Sequence, residues 1–241
     1  MEFVIQQYEP EAQRARSASE WLGHILDNIF TFCQRRLGHC EDEPLACASG
    51  LYSRSIAAGS HNHELLMNLY LTGYRGSGKS TVATILAELL GWTVLDSDNQ
   101  IEILVGKTIT QIFETEQEAG FRKWESAVIE GLALLDKTVI ALGGGAVLAE
   151  SNRDRMAESG RAVWLKVSAE TSHARITADE NSATQRPNLT QTGGIEEIEQ
   201  MLALRSPIYQ SCADLVVDAD SKTPSEIAAA IFDHFEPLLL I

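Results

Sequence analysis

From Met67 onward, short apolar runs alternate with longer stretches in which apolar residues recur every three or four positions. The runs are NLYLTG (68–73), TVLD (93–96), TVIALG (138–143), AVWLKV (162–167) and DLVVD (214–218). Each has the length of one strand, and apolar runs without polar alternation predict strands buried on both faces. Between them, helical spacing predicts helices over Thr81–Leu90, stopped by Gly91, and over Thr108–Leu135. Further helices are predicted over Ser151–Glu158, ahead of Gly160, and over Glu196–Cys212. TPSE (223–226) places a cap, a first-turn proline and a third-position glutamate at the start of a last helix. Strand–helix alternation of this kind predicts an α/β protein whose parallel sheet carries helices on both faces.

Residues 1–66 have a different texture. SASE (17–20) reads as a capping box, and Trp21, Leu22, Ile25, Leu26, Ile29, Phe30, Cys33 and Leu37 follow at helical spacing before Gly38. The small and polar ASGLYSRSIAAGSHNH (48–63) then reads as a linker. Two units are therefore expected: an N-terminal extension over 1–66 and a main domain over 67–241. Met67 stands immediately before the first strand. The extension is either an accessory segment or upstream sequence ahead of a true start at Met67, and the second reading is favoured.

Composition narrows the function. A formal charge of -15 argues against a protein that tracks a nucleic-acid backbone. It leaves anionic small molecules open, because a few placed arginines can reverse the field locally. Cys33, Cys40, Cys47 and Cys212 are too few and too lopsided for a disulfide framework, and the seven-residue spacing of the first three matches no zinc pattern. No apolar run is long enough to span a membrane, and the acidic start MEFVIQQYEPE has no signal-like segment. A cytoplasmic protein without membrane or nucleic-acid partners is expected.

The chemistry starts at GYRGSGKS (73–80), which fits G-x-x-x-x-G-K-S between the first strand and the first helix. That context makes it a phosphate loop. Its amides and the helix N-terminus face phosphate oxygens, Lys79 neutralises β and γ oxygens, and Ser80 ligates Mg²⁺. The loop does not say which acceptor is used. The strand that would normally carry the magnesium-side acid, 138–142, ends in Ala-Leu and runs into Gly143, Gly144 and Gly145. The acid must come from elsewhere, and LDSD (95–98) offers Asp96 and Asp98 at the end of the second run. Two apart on an extended chain, the two carboxylates are expected to point the same way. One could support Mg²⁺ while the other meets an acceptor hydroxyl. The plain alternative is an Asp-Ser-Asp turn capping the next helix.

Arg122, Arg186 and Arg205 are the candidate grips for carboxylate or phosphate. Arg122 and Glu125 are i, i+3 neighbours, so an ordinary helix ion pair is the competing reading there. Arg186 lies in ADENSATQRPNLTQTGG (178–194), a polar stretch with the composition of a mobile lid.

Taken in order, GYRGSGKS, LDSD, GFRKWE, LGGG, RPNLT and LALRSPIY resemble the shikimate kinase family over about residues 67–235. The resemblance implies a three-layer P-loop kinase fold with a five-stranded parallel sheet and a mobile lid. It implies transfer of the ATP γ-phosphate to the 3-hydroxyl of shikimate, in aromatic amino-acid biosynthesis, with Mg²⁺; a monomer is the separate expectation. By the same resemblance, Gly76, Ser77, Gly78, Lys79, Ser80 and Thr81 hold ATP phosphates, and Ser80 and Asp96 serve the metal. Asp98 holds the acceptor hydroxyls and serves as base. Arg122, Arg205, Gly144 and Gly145 form the shikimate site. Arg186 is the lid arginine that reaches the phosphates, and Arg175 in HARI lies near the adenine. The lid reads RPNL where many members have RPLL. A gluconate or nucleotide kinase of the same fold would not need Arg122 and Arg205 beside a triple glycine. A nucleotide-binding regulatory module would not need both Lys79 and Asp98.

Overall fold

The computed structural model describes residues 67–178 and 194–239. Five strands, β1 (Asn68–Thr72), β2 (Thr93–Asp96), β3 (Thr138–Ala141), β4 (Gly160–Lys166) and β5 (Leu215–Asp218), form one sheet in the order β2-β3-β1-β4-β5. All four pairings are parallel. The seven helices among the described residues are α1 (Lys79–Leu90), α2 (Ser97–Val105), α3 (Ile109–Leu132), α4 (Glu150–Ser159), α5 (Ala169–Ala178), α6 (Gly194–Cys212) and α7 (Pro224–Leu239). None is long and apolar enough to cross a membrane.

The strands' period of two sorts their side chains into two cores. Leu69, Leu71, Val139, Ala141, Val163 and Leu165 face α1 and α7, against Val82, Leu86, Ile227, Ile231 and Phe235. Tyr70, Ile140, Leu142, Ala162 and Trp164 face the opposite side, against Ile101, Ile129, Met156 and Tyr209 from α2, α3, α4 and α6. Both faces are covered, which is why β1 is buried at every position and could not alternate with polar residues.

Two helices, α2 and α5, go beyond those predicted from spacing. Each is short and starts within three residues of a strand's end, where the apolar run masks the change of period. The predicted helix 108–135 forms as α3, with Thr108 and Gln111 closing a capping box. It is broken at Gln117, whose φ of 59° is left-handed. The TPSE start forms as read: Glu226 N–H donates to Thr223 Oγ1, and Thr223 N–H donates to Glu226 Oε2. The helix and linker expected within 1–66 lie outside the described residues, as does Arg186 of the expected lid.

Candidate active site

β1 delivers the chain into the phosphate loop at the carboxyl edge of the sheet, where open α/β sheets place ligands. Gly76 and Gly78 adopt φ of 75° and 89°, and a β-carbon at Gly76 would sit 2.9 Å from the Ser172 carbonyl. Only glycine takes both the conformation and the close approach at Gly76. Lys79 folds back over the loop and donates to the carbonyls of Gly73 and Tyr74, each at 2.9 Å. Its ammonium therefore sits at the centre of the phosphate nest. Arg175 on α5 reaches the loop from the side, donating to Gly76 O at 3.2 Å and to Ala219 O, after β5, at 2.8 Å.

Asp96 and Asp98 are arranged differently from the extended pair expected. Asp96 ends β2 with extended angles and is the N-cap of α2, whereas Asp98 already lies in that helix's first turn. The helix starts at Ser97 because the Asp96 carboxylate accepts from the amides of Asp98 and Asn99. Its other oxygen accepts from Ser80 Oγ at 2.8 Å. The capping alternative and the metal-side alternative thus describe one carboxylate, with an oxygen for each. Ser80 hydroxyl and Asp96 carboxylate are hard oxygen donors side by side at the phosphate loop, a set that suits Mg²⁺.

Asp98 turns toward the glycines. The β-carbon that Gly143 lacks would lie 2.6 Å from Asp98 Oδ1 and 3.3 Å from Glu125 Oε1. At Gly144 it would meet Gly73 O at 3.4 Å, Tyr209 Oη at 3.8 Å and Arg205 Nη1 at 3.9 Å. At Gly145 it would overlap the Arg122 guanidinium, whose Cζ is 2.7 Å away. Gly143 therefore makes room for Asp98 and Gly145 for Arg122, whereas a β-carbon at Gly144 would meet only ordinary contacts. None of the three needs a left-handed φ. Ser97 ties the two motifs together: buried, it accepts the Gly143 amide on its Oγ at 2.9 Å.

Asp98, Glu125, Arg122, Arg205, Arg75 and the three glycines line one cavity, with Phe113 and Phe121 as its apolar wall. Those two rings stack at 4.8 Å. Arg122 donates to Glu125 at 2.7 Å and to Glu118 at 2.9 Å, so the expected ion pair and the expected cavity residue are both present. A second cavity runs along Gly76, Lys79, Ser80, Asp96 and Asn99. Arg75, Asp98, Ile109 and Gly144 border both.

The sequence had singled out Asp98, Arg122, Arg205, Gly144 and Gly145 for one site, and the fold brings them together. Glu125, Arg75, Ser97 and Tyr209 join them without having been singled out. Each sat inside a quoted motif, and Glu125 was read only as an ion-pair partner. Its burial is what changes the reading: a carboxylate only 2% exposed is costly unless it is paired, so the contact with Arg122 is part of the cavity wall and not a surface bridge. Burial pushes its carboxyl above the ordinary glutamate range, with Arg122 opposing.

A family model described as Shikimate kinase matches residues 75–236. The chain belongs to the shikimate kinase family. A shikimate kinase of Rhodopirellula baltica is 41% identical over 164 residues, covering 68% of this chain and 88% of the relative. One of Coxiella burnetii is 40% identical over 166 residues, covering 69% and 92%. Among solved structures, a shikimate kinase from Acinetobacter baumannii in complex with shikimate is similar at a TM-score of 0.67 and 36% identity, over 72% of this chain and 95% of that one. The shikimate kinase of Aquifex aeolicus is similar at a TM-score of 0.60 and 31% identity, over 71% and 99%. The five-stranded parallel sheet and the phosphate loop are thus those of a shikimate kinase family member.

Proposed function

We propose that this chain phosphorylates the 3-hydroxyl of shikimate with ATP, giving shikimate 3-phosphate and ADP in aromatic amino-acid biosynthesis. The observation that carries this reading is the shared wall. Asp98 and Gly144 border both the cavity along the phosphate loop and the cavity holding Arg122 and Arg205. A phosphoryl donor in one and an acceptor in the other would meet at Asp98.

Each role follows from chemistry at its position. The amides of Gly76 to Thr81 and the N-terminus of α1 hold the donor phosphates. Lys79 exchanges its carbonyl partners for phosphate oxygens. Arg122 and Arg205 offer planar forks for the acceptor carboxylate. Asp98 orients the acceptor hydroxyl. The acceptor oxygen bonds the γ-phosphorus as the bond to the β–γ bridging oxygen breaks, and the hydroxyl proton passes to the Asp98 carboxylate. Such transfers depend mainly on positioning and charge stabilisation. Ser80 and Asp96 would hold Mg²⁺, which neutralises phosphate charge when bound. Arg175, clamped between loop and β5, borders the nucleotide base. Arg186 is assigned to the donor phosphates, where a guanidinium would stabilise the charge being transferred. The catalytic unit is 67–241, acting as a monomer in the cytoplasm, with neither nucleic acid nor membrane as partner.

The test is ADP release with Mg-ATP, with and without shikimate. Shikimate-dependent release is the expected result. ADP release that shikimate leaves unchanged overturns the proposal.

A further inference from the structure

Tyr209 lies fully buried on α6, one turn after Arg205. Its ring stacks on Trp164 of β4 at 5.7 Å, with 27° between the planes. Phenylalanine would fill that space and stack as well. A buried hydroxyl is costly unless it is hydrogen-bonded. This one donates to the carbonyl of Gly144. The Arg205 guanidinium is close by: a β-carbon on Gly144 would have Tyr209 Oη at 3.8 Å and Arg205 Nη1 at 3.9 Å as neighbours. Burial pushes the phenol up to about 12 against the pull of Arg205, so at neutral pH it keeps its proton and remains a donor.

We propose that Tyr209 is a positioning residue for the acceptor, set between Arg205 and the Gly144–Gly145 peptide. The Arg205 guanidinium lies beside the hydroxyl, and the hydroxyl donates to Gly144 O. The peptide is trans, so its N–H, that of Gly145, points opposite to the carbonyl that Tyr209 holds. Gly145 lines the acceptor cavity, and its amide has no hydrogen-bond partner among the described residues. Holding the carbonyl on one side thus aims an open N–H at the acceptor on the other. A donor on the carbonyl also polarises the peptide and strengthens that N–H. The guanidinium gains a fixed neighbour in the same step. The sequence places Arg205 and Tyr209 four apart on one helix, the spacing that puts both on one face.

The inference rests on the acceptor site proposed above, and the experiment separates the two. Wild-type protein is assayed first for shikimate-dependent ADP release; its absence overturns the activity itself. With turnover established, Tyr209→Phe should raise the KM for shikimate about tenfold, the scale of one lost hydrogen bond. The KM for ATP and kcat should stay within about twofold, since neither the donor nor the reacting atoms are touched. Combined with Arg205→Lys, the two effects should be less than multiplicative, because the two side chains are neighbours. A shikimate KM unchanged in Tyr209→Phe, with or without a lower Tm, overturns the proposal and leaves Tyr209 a packing residue. Should Tyr209→Phe fail to fold, 3,5-difluorotyrosine placed at 209 keeps the shape and makes a stronger donor. It should lower the shikimate KM at neutral pH, and an unchanged KM overturns the proposal.

Discussion

Glu125 is buried 2.7 Å from Arg122, one turn along the same helix, and its other oxygen faces the bare α-carbon of Gly143. That Oε1 has no hydrogen-bond partner among the described residues. The pair is therefore unlike an exposed i, i+3 bridge, which contributes little. One end fixes the arginine, while the other is held in a confined polar corner beside Asp98.

This burial has a pH signature. Glu125 has a folded pKa above its unfolded value, because burial outweighs Arg122. The folded state then binds more protons than the unfolded one between those two values, so stability falls as pH rises through that window. Glu125→Gln removes the titration. The wild-type minus Glu125→Gln difference in urea midpoint should decline as pH climbs from the ordinary glutamate value of about 4.3 and then level off. A difference that grows with pH would mean that the attraction of Arg122 exceeds the cost of burial.

The glycine triplet should divide binding from chemistry. In Gly145→Ala the new methyl collides with Arg122, so the shikimate KM should rise by about tenfold or more, the equivalent of 1.4 kcal/mol. In Gly143→Ala it collides with Asp98 instead, so kcat should suffer most. Both should keep their affinity for ATP by titration calorimetry. Equal loss of ATP affinity in either would point to general collapse of the loop.

Asp98→Asn keeps the side-chain shape and removes the proton acceptor. Turnover should fall by about 10²–10⁴, the usual range for acid–base groups. ATP should still bind, since Lys79 and the loop amides are unaltered. Steady-state kinetics beside a nucleotide titration decide it, and normal turnover would remove Asp98 from the chemistry.

Ser97→Ala leaves the buried Gly143 amide without its acceptor. An unsatisfied buried donor costs about 1–3 kcal/mol, so a denaturant midpoint should show the loss directly. Because Ser97 ties the LDSD turn to the first amide of the triplet, kcat should fall with it. Full activity at wild-type stability would show that the tie is dispensable.

The sequence by itself determined the strands, their parallel arrangement and the phosphate loop. Those features are local: a buried strand needs an apolar run, and a phosphate loop needs glycines and a lysine at fixed spacing. It also named Asp98, Arg122, Arg205, Gly144 and Gly145, because their motifs occur in a recognisable order. It could not separate the two uses of Asp96. Capping α2 and bonding Ser80 require a helix to begin at Ser97, and the preceding apolar run hides that start. Nor could it distinguish Glu125 from an exposed ion-pair partner, since burial depends on β3 and the glycines arriving from nearly twenty residues away. Tyr209 shows the same limit most sharply. Its spacing from Arg205 was legible, but its carbonyl partner lies 65 residues back along the chain. Only the packing of α6 against β4 brings the two together, because hydrogen bonds between distant segments are set by how the cores close and not by any local pattern.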